Sequence, residues 1–255
     1  MKIVLTNDDG IDAPGIAALS TVLEDFGEVW TFAPTTSMSG CGHAASEGSF
    51  QVLQVSPRRY AVDGKPADCT RVALHLLNGE VDWVFSGIND GANLGVDVFH
   101  SGTVAAVREA AFRGIPGFAL SHYKSRVLED SDWVRAAQWA RHAIAQLIER
   151  PRPTAGYWNV NFPCPPQSDT STPDLLFCPL EESPLPVSYI VEGDTFHYGG
   201  RYSQRARVPG SDVYHCFGGK ITATYVSPFE SQVPIEEPES MQQTAVQVGT
   251  ADHSI

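Results

Sequence analysis

Residues 2–34 read KIVLTNDDGIDAPGIAALSTVLEDFGEVWTFAP, and this stretch decides the fold. It opens on a short apolar run, 2–6, rich in β-branched residues and halted by Asn7-Asp8-Asp9-Gly10. Pro14 then starts a helical pattern that puts Ile16, Leu19, Val22 and Leu23 on one face and stops at Gly27. Val29-Trp30-Thr31-Phe32 is the next strand, closed by Ala33-Pro34. Strand, helix and strand in so short a span make a βαβ unit, the building block of a parallel sheet.

The alternation continues downstream. A helix is predicted over 67–78 with Val72, Leu74, Leu76 and Leu77, and a strand over 81–86 (VDWVFS) runs into Gly87. A second helical pattern begins after Ser101-Gly102 and ends at Gly114. A strand over 117–121 (GFALS) and an amphipathic helix over 131–149, with Val134, Trp139, Ala140 and Ile144, complete the series. The runs FQVLQV and RYAVD within 50–63 read as a small inserted hairpin. The expectation is therefore an α/β chain on a mainly parallel sheet.

Composition shifts near 163, where seven prolines from Pro163 to Pro186 break any regular element. Residues 187–226 then read as short strands, with Gly199-Gly200 and Gly218-Gly219 as turns. After Lys220 there is no further Lys or Arg, and Glu236, Glu237 and Glu239 open an acidic end. The chain thus divides into a core over 1–162, a β-rich part over 163–228 and an acidic tail over 229–255, expected to be mobile.

With 255 residues, 42% of them apolar and 18% charged, the chain can bury a sizeable core without disulfide or metal staples. No run approaches the roughly 18 apolar residues of a membrane span. The start, MKIVLTNDDG, lacks the pattern of a signal peptide, so the expected compartment is the cytoplasm. Five cysteines without a CxxC pair argue for reduced thiols. Seventeen basic against 30 acidic residues leave a net charge of −13, a poor surface for DNA or RNA. A small anion remains a fitting ligand where a metal or helix N-termini supply local positive charge.

In an open parallel sheet, ligands bind beyond the carboxyl ends of the strands. Three polar clusters fall there: Asn7-Asp8-Asp9-Gly10, Ser37-Met38-Ser39-Gly40, and the run from Ser86 to Gly95, followed by Ser101-Gly102-Thr103. Adjacent carboxylates repel, and a hard divalent cation relieves that repulsion; the alternative is that one Asp caps the first helix and the other is solvated. Asn89 adds a neutral oxygen, and Ser101-Gly102-Thr103 opens a helix, where free N–H groups favour a phosphate. Metal ligands beside an anion site suit phosphate-ester chemistry. The chain has no GxxxxGKS loop, no GxGxxG after its first strand and no GxSxG elbow, which sets aside the P-loop, nicotinamide-binding and α/β-hydrolase readings.

NDDG with Pro14-Gly15, the AP…SG pair over 33–40, GKPADC at 64–69, SGIN-x-G-x-NLG at 86–95 and SGTVAA at 101–106 resemble the SurE family of metal-dependent survival-protein 5′-nucleotidases. The resemblance is dense over about residues 1–120 and keeps order and spacing. It implies a Rossmann-like, doubly wound core with a smaller β-rich C-terminal part, whose extended arm is used in homodimers and homotetramers. It implies one divalent metal ion, Mg²⁺ or Mn²⁺, held by Asp8, Asp9, Ser39 and Asn89. It further implies a phosphate pocket at Ser101, Gly102 and Thr103, with Asn7, Gly40 and Asn93 on the substrate side. The sequence departs from the family's pattern at Cys41-Gly42-His43-Ala44-Ala45, in Gly210-Ser211-Asp212 where the family has GTD, and in ITATYVSPFES (221–231), where Glu230 stands near the expected Asp.

The activity expected is hydrolysis of a small nucleoside 5′-monophosphate, with Asp8 and Asp9 also orienting the attacking water and His100 as general acid for the nucleoside oxygen. His43 is read as a loop residue or as part of the base pocket. The alternatives are a broad-specificity phosphatase and a non-catalytic nucleotide- or metal-binding module. A nucleic-acid scaffold and a membrane are not among the expected partners.

Overall fold

The computed structural model describes residues 1–151, 155–169 and 171–229. Strand β1 (Lys2–Thr6), helix α1 (Pro14–Leu23) and strand β2 (Glu28–Pro34) follow in the expected order, with β1 and β2 parallel. Pro14 sits in the first turn of α1, where its missing N–H is no loss. The helix stops at Leu23, short of Gly27, because Asp25 and Phe26 turn their N–H groups three residues back, to Val22 and Leu23.

The hairpin β3 (Val52–Ser56) and β4 (Arg59–Val62) is not a separate insertion; β4 pairs parallel with β2 and extends the sheet. Then come α2 (Pro66–Leu76), β5 (Trp83–Asp90), α3 (Gly102–Ala111), β6 (Gly117–His122), α4 (Asp130–Leu147) and β7 (Tyr157–Phe162). After them lie β8 (Leu175–Phe177), β9 (Tyr189–Glu192), β10 (Thr195–Tyr198), α5 (Asp212–Phe217) and β11 (Ile221–Val226). Nine strands form one sheet in the order β3-β4-β2-β1-β5-β6-β7-β11-β8. The run from β4 to β7 is parallel; β11 lies antiparallel to β7 and parallel to β8.

Strand β1 is buried on both faces, as a central parallel strand must be. Ile3 and Leu5 pack with α1 and α4 on one side, while Val4 packs with α2 and α3 on the other, and none of the three is exposed. Helices on both faces of a mostly parallel sheet make the fold the doubly wound α/β type expected. The six parallel strands from β4 to β7 end on one rim, and that rim carries the polar clusters.

Several boundaries differ from expectation. Strand β5 does not stop at Ser86 but runs to Asp90, with its pairing to β6 slipping between Ser86 and Asn89. Strand β7 was not anticipated, although all six of its residues are buried. Residues 187–226 are not all short strands. A 3-10 turn over Tyr202–Gln204 and helix α5 stand between β10 and β11, and Ser211 Oγ caps α5 by accepting the Tyr214 amide. The hairpin of β9 and β10 turns at Gly193-Asp194 rather than at Gly199-Gly200, which follows β10. Strands β8 and β11, from the segment after 163, continue the main sheet, whereas β9 and β10 form a two-stranded sheet of their own. The acidic tail lies outside the described residues except for Phe229, as does Glu230.

Candidate active site

The Asn7–Gly10 turn closes on itself. Asn7 is fully buried, donates Nδ2 to the Gly10 carbonyl at 2.8 Å and accepts the Gly10 amide on Oδ1 at 3.3 Å. Asn7 therefore shapes the turn, and Asp8 and Asp9 are the side chains it presents. The next strand end is tied to the first: the Met38 amide donates to the Asp8 carbonyl at 2.7 Å. Ser39 follows on that loop, exposed, with its hydroxyl 3.1 Å from that of Ser37; Gly40 is also exposed.

Asp8 is 4% exposed and lies on the N-terminus of α3. The Thr103 hydroxyl donates to its Oδ1 at 2.5 Å, and the Thr103 amide also bonds to it. A Cβ on Gly102 would sit 2.9 Å from the Asp8 Cβ and 3.0 Å from its Oδ2, so only glycine allows this approach. Thr103 in turn meets Asn93, whose Nδ2 stands 3.4 Å from the Thr103 hydroxyl and donates to Ser121 Oγ at 2.8 Å. Asn93 thus forms part of a buried chain, Ser121–Asn93–Thr103–Asp8, behind the site. Ser101 Oγ accepts the Val104 amide at 3.1 Å, the bond of an N-cap.

The slip in β5 redirects the strand where it meets the site. Past it, Asn89 donates Nδ2 to the Gly91 carbonyl at 2.7 Å, which leaves its amide oxygen available as an acceptor. The Asp90 amide donates to Asp9 Oδ2 at 3.0 Å, and Lys124 pairs with the Asp90 carboxylate at 2.7 Å. His100 is exposed at the start of α3, its amide on the Asp97 carbonyl at 3.0 Å. His43 faces elsewhere: its Nε2 meets buried Glu109 at 3.0 Å and its ring stacks on Phe112, with Arg71 and Arg113 on the same carboxylate.

Both adjacent acids are shifted upward. Burial raises the Asp8 carboxyl above the ordinary range, against the Thr103 hydrogen bonds that lower it. Asp9 is pushed up to about 6, chiefly by burial; the Asp90 amide opposes this, the charges of Asp8 and Asp90 add to it, and Lys124 opposes it. Both anions are thus disfavoured, and a dication would relieve them. Among the described residues no three His, Cys, Asp or Glu side chains stand together to hold a metal. A cation here must complete its shell with hydroxyl and amide oxygens, an all-oxygen set that fits Mg²⁺ or Mn²⁺ rather than a softer ion.

A cavity of about 640 Å³ adjoins Asp9 and is lined also by Pro14, Asp90, Lys124, Val127 and Trp133. The sequence reading missed its wall, the segment 124–128 after β6. The signal was available, because the strand-end rule applied to 117–121 points to the same loop.

A model of the family "Survival protein SurE" matches residues 3–182. A protein of Nostoc sp. (strain PCC 7120) is 46% identical over 225 residues, spanning 88% of this chain and 98% of its own. 5′-Nucleotidase SurE of Rhodopirellula baltica is 37% identical over 221 residues, spanning 84% of this chain and 80% of its own. Among solved structures, the SurE protein from Aquifex aeolicus superposes with a TM-score of 0.77 at 26% identity, covering 89% of this chain and 93% of that one.

Proposed function

The chain belongs to the SurE survival-protein family, and from that premise we propose that it is a 5′-nucleotidase whose reaction centre is the Asp8–Asp9 pair. It hydrolyses nucleoside 5′-monophosphates to nucleoside and inorganic phosphate. The observation that carries the assignment of the centre is the pair itself: two neighbouring carboxyls, both raised, at a strand end against the N-terminus of a helix.

Asp8, Asp9, Ser39 and Asn89 hold one divalent cation, Mg²⁺ or Mn²⁺, which when bound draws charge from the phosphoryl oxygens. The substrate phosphate meets the Ser101 hydroxyl and the Gly102 amide at the start of α3. The Thr103 hydroxyl serves Asp8 instead and keeps that carboxylate aimed. Water attacks phosphorus in line, oriented by Asp9, and the bond from phosphorus to the 5′ oxygen breaks. His100, exposed at the helix start, delivers the proton that the leaving alkoxide needs. The cavity beside Asp9 has the volume of a small-ligand pocket and takes the nucleoside.

The protein acts as a homodimer or homotetramer in the cytoplasm. Ile190, 61% exposed, and Phe196, 65% exposed, give the β9–β10 hairpin an apolar surface suited to a second copy. Five free cysteines suit a reducing compartment, and among the described residues no helix is long and apolar enough to cross a membrane. A substrate panel tests the reading. With Mn²⁺ present, kcat/KM is expected to be higher for nucleoside 5′-monophosphates than for a sugar phosphate or p-nitrophenyl phosphate. Equal values across the panel favour the broad-specificity phosphatase, and no turnover of any of them favours the binding module.

A further inference from the structure

The segment from Glu181 to Asp212 leaves the core as the β9–β10 hairpin and returns, and both of its roots are fastened to the loop that leads into α3. Arg205 is 3% exposed. It donates Nη1 to Asp97 Oδ2 at 2.5 Å and Nη2 to the Leu94 carbonyl at 3.0 Å. The Tyr202 hydroxyl donates to the same Asp97 oxygen at 2.7 Å. Where the two roots meet, Asp212 takes the Gly95 amide on Oδ2 at 2.7 Å and the Glu181 amide, from the outgoing root, on Oδ1 at 2.8 Å. Gly95 has a φ of +53°, and a Cβ there would lie 2.4 Å from the Glu181 carbonyl oxygen. Loop and segment therefore touch backbone to backbone.

From Asp97 the path to the site is one step. Its carbonyl accepts the amides of both His100 and Ser101 at 3.0 Å, and Ser101 caps α3. We propose that Arg205 and Tyr202 are positioning residues for the phosphate end of the site: they hold Asp97, and Asp97 holds His100 and Ser101. The proposal rests on the reading of Ser101 and Gly102 as phosphate contacts. Its physical basis is the fork. A planar guanidinium reaches a carboxylate and a carbonyl at once, which an ammonium on a flexible stem does not. The neighbours of Asp97 are donors from three places in the chain (Leu94, Tyr202 and Arg205), so its carboxylate has little freedom to turn.

The test compares Arg205→Lys, Arg205→Met and Tyr202→Phe with the unaltered protein. Tyr202→Phe keeps the ring against Tyr123 and Phe217 and removes only the hydroxyl, so it decides the matter where an Arg205 variant fails to fold. Four constants are measured: kcat and KM for a nucleoside monophosphate, the inhibition constant of inorganic phosphate, and Mn²⁺ affinity by calorimetry. In Arg205→Met, kcat is expected to fall by about 10²-fold, the scale of a displacement near 1 Å at a reacting centre. Phosphate inhibition weakens in parallel, Mn²⁺ affinity stays within twofold, Arg205→Lys recovers little, and Tyr202→Phe shows the same pattern to a smaller degree. Folded variants that keep kcat and phosphate inhibition, or that lose Mn²⁺ and phosphate together, overturn the proposal. If the unaltered protein releases no phosphate from nucleotides, the nucleotidase reading fails, while direct phosphate binding still decides the role of Arg205. An unaltered protein that binds no phosphate overturns that role as well.

Discussion

Thr103 gives both its hydroxyl and its amide to Asp8, and that sets what each residue near it can do. Read as sequence, Ser101-Gly102-Thr103 promised three phosphate contacts; folded, one of the three holds a carboxylate in place. Asn7 and Asn93 shift in the same way, since their amides close a turn and a buried chain. Residue type and spacing carry the location of such groups but not which of two acceptors wins a hydrogen bond, because that depends on elements far apart in sequence. Asn89 sits on the outward side of this divide. Asn89→Ala is expected to weaken Mn²⁺ binding by about tenfold with little change in the thermal midpoint, as loss of one oxygen at the end of a strand should. Unchanged affinity by calorimetry reduces Asn89 to a turn residue. His100→Ala is expected to slow a nucleoside monophosphate by roughly 10²-fold and p-nitrophenyl phosphate far less, because a phenolate leaves without a proton. An equal loss on both esters contradicts that role.

At the scale of elements, the βαβ units were legible because apolar runs and helical faces alternate cleanly up to residue 149. Strand β7 was passed over, although its text, YWNVNF, alternates Asn with apolar residues as a half-exposed strand does. In the fold, Asn159 and Asn161 are buried and donate to the Asn93 carbonyl, so the alternation marks a strand whose polar side holds the site loop. Helix α5 was hidden by its length of six residues, too short for a helical period to declare itself. The β9–β10 hairpin was read correctly as strand. An isolated two-stranded hairpin is marginal in water, and this one is exposed along both strands. Ile190→Asp with Phe196→Asp is therefore expected to lower the oligomer mass seen by light scattering at micromolar concentration. A mass unchanged from that of the parent protein places the interface elsewhere.

For the molecule as a whole, the buried carboxyls oppose one another across pH. Burial would raise Glu109, but hydrogen bonds from His43, Arg71 and Arg113 bring it down to about 2 from an ordinary 4.5. Its contribution is complete above about pH 4.5 and is lost as pH falls towards 2, because the unfolded chain takes up the proton first. Asp132, held by Arg126 and Arg135, follows the same sign. Asp9 has the opposite sign: its folded carboxyl, near 6, is destabilising when ionised, so metal-free protein gains stability as pH falls from about 6 towards 4. The thermal midpoint of metal-free protein is thus expected to peak near about pH 5, with Mn²⁺ moving the maximum upward by favouring the ionised pair. A midpoint that climbs steadily from pH 5 to 8 without metal contradicts the strain assigned to Asp8 and Asp9. The central claim, that these two carboxyls act with a divalent cation on a nucleotide phosphate, is tested most directly by phosphate release from a nucleoside 5′-monophosphate before and after exhaustive chelation. The expected result is loss of activity on stripping and its return with Mn²⁺ or Mg²⁺, but no return in Asp9→Asn; full activity in metal-stripped protein would contradict the account.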